Sequence, residues 1–312
     1  MWNFQAARSA TSASRTGPDY LGNGPVVAVI PGRARGRVSE ARSSVGRMVD
    51  FTDEDLRGSR FTHVDLTGAV FRRARLIDID VRGADLRGAR FDGVELVDAT
   101  ITGEVENLTI NGVEVSAYVN AELDRRDPDR VKMRPTDPTG FREAWYLLER
   151  LWDGTVERAR ALDPADLHVS VDEEWSFIET LRHLLFVTDS WVRRAILRVP
   201  EPWDPLDLPW DQMSDKPGIP RDREVRPSLD EVLAVRADRQ ATVRTFLSGL
   251  TDDRLDEHTV PLEGDSWPPA RPFPVRECLS VLLNEEWYHR QFAERDLAVL
   301  ERRRAEPSAE TD

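Results

Sequence analysis

A single cysteine, Cys278, occurs in the 312 residues. That excludes an internal disulfide and suits a chain that folds in a reducing cytosol. Lysine is almost as scarce: Lys132 and Lys216 stand alone among 43 basic residues, an arginine bias that GC-rich coding accounts for. No apolar run reaches the ~18–20 residues needed to cross a bilayer, so no membrane segment is expected. A secretory signal needs an apolar stretch of ~7–15 residues near the start, and Val26-Val-Ala-Val-Ile30 is too short and too far in. Excess positive charge is missing too. A formal charge of −14 argues against a nucleic-acid groove, which needs a basic stripe. No P-loop, Gly-x-Gly-x-x-Gly or Ser/His/Asp order is present. The length suggests about two domains, and 9 Trp with 11 Phe can build their cores.

Residues 1–47 carry Ala, Ser, Arg and Gly with little periodicity and read as a disordered tail, with Met48 as the natural start. From Phe51 the chain turns strictly periodic. Large apolar residues recur every fifth position, from Phe51, Leu56, Phe61 and Leu66 through Leu96 and Ile101. A small or apolar residue lies two positions before each centre, as at Ala69, Ala84 and Ala89, and glycines recur at 58, 68, 83, 88 and 93. Period five fits neither helix nor strand and calls for a repeat. Ala84-Asp-Leu-Arg-Gly88 and Ala89-Arg-Phe-Asp-Gly93 resemble the pentapeptide-repeat family. The resemblance implies a short right-handed quadrilateral β-helix, four repeats per coil, with centre and small residue pointing inward. Ten Asp/Glu against eight Arg from Phe51 to Gly103, on fewer than three coils, argue against mimicry of DNA. A rigid accessory module, or one that makes a homodimer, is the expectation. Glu104–Val115 alternates around Asn111-Gly112, a hairpin signal, and is expected to cap the coil, so that the repeat domain spans 48–116. Residues 117–139 read as a linker with a short helix over Ala117–Asp127.

Residues 140–303 read as a four-helix bundle, with helices over 140–162, 176–197, 229–249 and 275–302, and 304–312 as a second disordered tail. Ser176-Phe-Ile-Glu179 and Ser228-Leu-Asp-Glu231 have the form of capping boxes. The Pro-rich stretch Val199–Pro227 is too long for an ordinary connection and reads as a covering crossover.

Glu285 and His289 are four residues apart, on one helix face with Cβ atoms ~5–6 Å apart. With His183 they would make three ligands with an open position, the set a catalytic zinc wants. Similar depth from the helix starts puts the three level if the second and fourth helices run parallel. Other readings stay open. His183 among Leu184, Leu185 and Phe186 is also the pattern of a hydrogen-bonded core histidine, and Glu285/His289 that of a solvated pair. Cys278 lies two turns before Glu285, ~10.8 Å along the axis, and reads as a core residue. Glu286 and Arg290 read as a solvated ion pair, Glu179 as a capping residue, and Arg182 and Asp189 as candidates for supporting the ligands. His63, His168 and His258 form no constellation.

Trp175-Ser-Phe-Ile-Glu-Thr-Leu-Arg-His-Leu184 and Asn284-Glu-Glu-Trp-Tyr-His-Arg-Gln-Phe-Ala-Glu-Arg-Asp-Leu297 together resemble the DinB-like superfamily over about 140–300. That family's common pattern is one His on the second helix and His-x-x-x-His on the last; here Glu285 replaces the first of that pair. The variant looks like that of the mycothiol-dependent maleylpyruvate isomerases. By position, the resemblance implies His183, Glu285 and His289 as ligands of a divalent metal, zinc or alternatively nickel. It also implies a low-molecular-weight-thiol S-transferase, its partners a small-molecule thiol and an electrophile; GC-rich composition makes mycothiol the natural donor, and the lone cysteine with no membrane segment makes the expected location cytoplasmic. The alternative is a non-catalytic scaffold that recruits a partner through the repeats.

Overall fold

The structure, a computed structural model, describes residues 50–62, 64–103, 105–211 and 213–305. The expectations for 1–47, Met48, His63 and 306–312 lie outside those residues. The described residues form two compact units that divide between Asp80 and Val81, inside the repeat run.

The repeat turns follow from local chemistry. The Asp before a centre accepts a hydrogen bond from the backbone N–H two residues on: Asp55 from Arg57 at 3.2 Å, Asp65 from Thr67 at 2.9 Å, Asp85 from Arg87 at 3.0 Å. The centre's carbonyl then accepts from the residue three positions later, as in Ser59 N to Leu56 O at 3.1 Å and Ala89 N to Leu86 O at 3.0 Å. Such a turn places the intervening residue at positive φ, which glycine adopts without steric cost; Gly58 sits at 75° and Gly88 at 72°. The outcome differs from the expected coil in its packing. Among the described residues no strand is assigned within 51–103. Centres such as Phe51, Phe71, Leu86 and Ile101 are 45–64% exposed.

Beyond the repeats, β1 (Thr109–Ile110) and β2 (Val113–Glu114) pair antiparallel, Thr109 with Glu114 and Ile110 with Val113. Asn111 and Gly112 make the turn at φ 50° and 83°. The segment read as a linker is mostly helical. It holds α1 (Ser116–Arg126) and the short α2 (Asp129–Lys132), and Arg130 and Arg134 both reach Asp124.

Four long helices follow, each starting where its cap dictates. Asp137 caps α3 (Pro138–Arg160), accepting from Thr139 N and Gly140 N at 2.9 Å, with Pro138 in the first turn, where a missing N–H costs nothing. Both expected capping boxes are present: Ser176 with Glu179 opens α4 (Phe177–Thr188), and Ser228 with Glu231 opens α5 (Leu229–Ser248). Helix α4 continues as a π-helical segment over Asp189–Ile196. After the short α6 (Asp252–Asp256) comes α7 (Val275–Ala305), directly behind Pro274 and two residues into the expected tail.

Ion pairs and hydrogen bonds fix the helix directions. Near the start of α7, Arg276 donates to Thr136 O, and near its end Glu294 and Glu301 take Arg158, so α3 and α7 run parallel. Arg142 donates to Leu247 O while Arg160 pairs with Asp230, so α3 and α5 run antiparallel. Arg182 reaches Val225 O just before α5, and Asp189 meets Arg239 within it, so α4 runs parallel to α5. The bundle is up-down-down-up, which requires the long crossover between α4 and α5. It also makes α4 antiparallel to α7, correcting the parallel arrangement expected from matched depth. The π segment confirms this: Trp191 packs edge-on against Phe273, beside the α7 start, with ring centroids 5.2 Å apart.

Two apolar clusters fill the bundle. One gathers Phe141, Trp145, Leu148, Val192, Leu279, Leu283 and Trp287; the other gathers Trp152, Ile178, Leu181, Leu184, Val232 and Leu297. Each such side chain contributes ~1.5–3 kcal/mol on burial. Along α4 and α7 the clusters meet near residues 183 and 285–289.

Candidate metal centre

At that junction three polar side chains face one another. His183 sits in the second turn of α4; Glu285 and His289 occupy one face of α7. All three are 5–6% exposed. Glu285 Oε2 lies 3.0 Å from His289 Nε2 and 3.6 Å from His183 Nε2. One ligand atom from each residue lies within 4.8 Å of the others. The imidazole centroids are 4.9 Å apart and tilted by 57°.

Orientation comes from outside the triad. His183 Nδ1 lies 2.9 Å from the Leu208 carbonyl, to which it can only donate. That fixes the tautomer and leaves Nε2 with a lone pair turned toward Glu285, as a ligating histidine requires. The carbonyl is held in turn by Arg182, wholly buried, whose guanidinium donates to Leu206 O at 2.8 Å, Asp222 O at 2.6 Å and Val225 O at 3.4 Å. Leu208 N closes the loop onto Arg182 O at 3.3 Å. Arg182 therefore latches the crossover over His183 rather than touching the triad.

The electrostatics of the triad oppose one another. Burial pushes the Glu285 carboxyl up, but the two imidazoles beside it, His183 and His289, outweigh it and hold it at about 2. Burial lowers the His183 imidazole, against the raising effect of Glu285. A carboxylate beside a neutral imidazole is the protonation state that binds a cation. Glu285 Oε2 is fully buried and, despite its close approach to both rings, has no hydrogen bond of acceptable geometry. An orphaned carboxylate oxygen flanked by two imidazole nitrogens fits a divalent ion of the zinc or nickel type: few ligands, nitrogen and oxygen donors, room for another.

Sequence reasoning passed over the aromatic wall. Trp175, just before the α4 cap, lies 4.5 Å from the His183 ring and 5.8 Å from that of His289, stacked on the latter at 12°. Phe186 and Phe292 close further sides at 6.1 Å from His183 and 5.9 Å from His289. Phe186 in turn meets Trp203 and Trp210 of the crossover at 5.6 and 6.2 Å. The signal was available, since Trp175 directly precedes Ser176, the cap of the helix that carries His183.

The other weighed residues fall elsewhere. Glu286 is not solvated: it is 1% exposed and takes a two-pronged pair from Arg236 at 3.0 and 2.6 Å. Arg236 also lies 4.9 Å over Trp152. Arg290 is half-buried, donating to Thr155 Oγ1 at 3.0 Å. Asp189, wholly buried, takes Arg239 through both oxygens at 2.9 and 2.8 Å, a structural pair away from the triad. Cys278 is buried in the core, as expected. His168 ends a 3₁₀ turn and His258 bridges to Pro274.

Comparison with known families agrees with this division. Residues 147–293 match the DinB superfamily, and two overlapping stretches, 50–88 and 69–103, each match the model described as pentapeptide repeats (8 copies). The chain carries a DinB superfamily domain preceded by a run of pentapeptide repeats. Neither a comparison with curated proteins nor one with solved structures finds a match.

Proposed function

We propose that this DinB superfamily domain holds a divalent metal, zinc or alternatively nickel, on His183, Glu285 and His289, and that it is a low-molecular-weight-thiol S-transferase. The observation that carries the proposal is the convergence of three buried ligand atoms from two helices, one of them a carboxylate oxygen with no hydrogen bond of acceptable geometry among the described residues. When bound, the ion supplies a Lewis acid beside which a thiol loses its proton near neutral pH. The chain's own residues do the rest. Leu208 O orients His183, Arg182 holds the crossover down, and Trp175, Phe186 and Phe292 keep water from the ligands. The thiolate attacks an electrophile, and mycothiol is the proposed donor. Low cysteine usage is the ground for placing this work in the cytoplasm. The turn recurring every five residues supports a right-handed quadrilateral β-helix for the repeats, serving as an accessory module or a homodimer contact.

Elemental analysis of the purified protein beside His289→Ala tests the reading: about one zinc or nickel per chain, lost in the variant. A second reading rests on the exposed repeat centres and on the 3.0 Å separation of His289 and Glu285, which equally suits a plain ion pair. It makes the chain a metal-free scaffold that recruits a partner through the repeats. A metal-free wild type of undiminished stability would support it.

A further inference from the structure

Buried indole N–H groups are donors that ordinarily find an acceptor. Among the described residues, those of Trp145, Trp152, Trp175 and Trp287 make no hydrogen bond of acceptable geometry. Trp145, Trp152 and Trp287 sit within the apolar clusters. Trp175 alone of the four lies against both candidate ligand imidazoles, at 4.5 and 5.8 Å between centroids. It is 8% exposed. The Arg223 guanidinium lies 5.9 Å from its ring, and a cation drawing on the π system makes the N–H a better donor. The triad thus leaves an acceptor without a donor, Glu285 Oε2, and the adjoining wall leaves a donor without an acceptor, Trp175 Nε1.

A cation would satisfy the first. The second leaves a donor, on a ring that packs against both imidazoles, for an acceptor that a ligand would bring. We infer that Trp175 Nε1–H donates to the sulfur of a thiol bound as thiolate beside His183, Glu285 and His289. This deepens the metal-dependent reading and rests on it. It assigns Trp175 a thiol-binding role and makes the preferred ligand anionic at the donor atom. A thiol bound this way gives one proton to solvent, so its affinity rises with pH until the free thiol itself ionises. Arg223 stays with its own carboxylates, Asp211 and Glu179, so the anion is met by a neutral donor rather than by a free cation.

The test uses the full chain loaded with cobalt(II), titrated with 2-mercaptoethanol and followed by the sulfur-to-cobalt charge-transfer band. Trp175→Phe keeps an aromatic wall and removes the donor. A hydrogen bond to a charged acceptor is worth ~1.5–3 kcal/mol, so the 2-mercaptoethanol dissociation constant should rise at least about tenfold while cobalt content stays at the wild-type level. Cobalt retained with unchanged thiol affinity overturns the role of Trp175 and leaves the metal reading standing. A wild type that takes up no cobalt overturns both. Should Trp175→Phe lose its fold, the wild type still decides. Comparison of cobalt- and zinc-loaded spectra of ¹⁵N-labelled protein marks the indole N–H nearest the metal by its paramagnetic shift. On adding 2-mercaptoethanol to the zinc form that resonance must move downfield; an unmoved resonance overturns the inference.

Discussion

His183 Nδ1 and the Leu208 carbonyl oxygen stand 2.9 Å apart, and that single contact ties the orientation of a helical side chain to the long crossover that covers it. The crossover is therefore part of the site even though it supplies none of the three side chains. Arg182, next to His183 in the chain, pins it through three backbone carbonyls.

Arg182→Met should accordingly weaken metal binding without touching a ligand. Loss of an outer-shell support typically costs 10–100-fold in affinity, so the zinc dissociation constant, measured against a competing chelator, is expected to rise by at least about tenfold. An unchanged constant would mean that Leu208 O holds its place without Arg182.

The Arg236–Glu286 pair is buried on both sides. Removing one partner leaves the other charge without compensation, which costs ~3–5 kcal/mol. Glu286→Gln should lower the unfolding free energy obtained from urea titration by that much, whereas Arg290→Gln, at a half-buried position, should lose less. Equal losses would contradict the burial difference.

Asp207 gives a pH dependence with a definite sign. It is wholly buried, Oδ1 makes no hydrogen bond of acceptable geometry among the described residues, and Oδ2 accepts from Asp204 N at 3.3 Å. Burial first, and the Asp189 carboxyl second, push it well above the usual carboxylate value of 3.8. The folded state thus keeps a proton that the unfolded state releases above that value, so this group disfavours folding increasingly as pH climbs from about 4 toward its raised value. Asp207→Asn keeps a neutral group in place and should raise Tm at pH 8, with the difference vanishing near pH 4. A variant less stable than wild type at pH 8 would mean that the ionised carboxylate is needed.

How much of this was legible in the sequence divides along physical lines. The four helices were readable because capping boxes at Ser176 and Ser228, Pro274 and apolar spacing are local signals, and the observed starts fall within about two residues of those expected. The convergence of His183 with Glu285 and His289 was readable because one face of a helix holds residues four apart, and because few histidines compete. The antiparallel course of α4 and α7 was not. It depends on which pairs form across the bundle, such as Arg142 with Leu247 O and Asp189 with Arg239, and those contacts link residues 50 or more apart. The π segment over Asp189–Ile196 escaped notice because no residue type there marks i→i+5 bonding off from the i→i+4 bonding of the helix it continues. Glu286 was misread for the same long-range reason: its arginine lies on α5. In the repeats the period itself was plain, while burial of the centres depends on stacking that no local pattern reports.

Cys278 should be inert toward thiol reagents. Burial, with Glu277 adding to it, pushes its thiol up to about 12, leaving almost no thiolate at neutral pH. Labelling by an aromatic disulfide should proceed only as fast as the protein unfolds, accelerating with urea. Rapid labelling in buffer would contradict the packing around α7.

The account stands on one coordination sphere built from two imidazoles and a carboxylate. X-ray absorption at the zinc edge of the zinc-loaded protein tests it most directly, by comparing wild type with His183→Ala and His289→Ala. The wild type should show two imidazoles with oxygen in the remaining positions, and each variant should lose one imidazole or the metal itself. A zinc shell that is the same in all three proteins would contradict it.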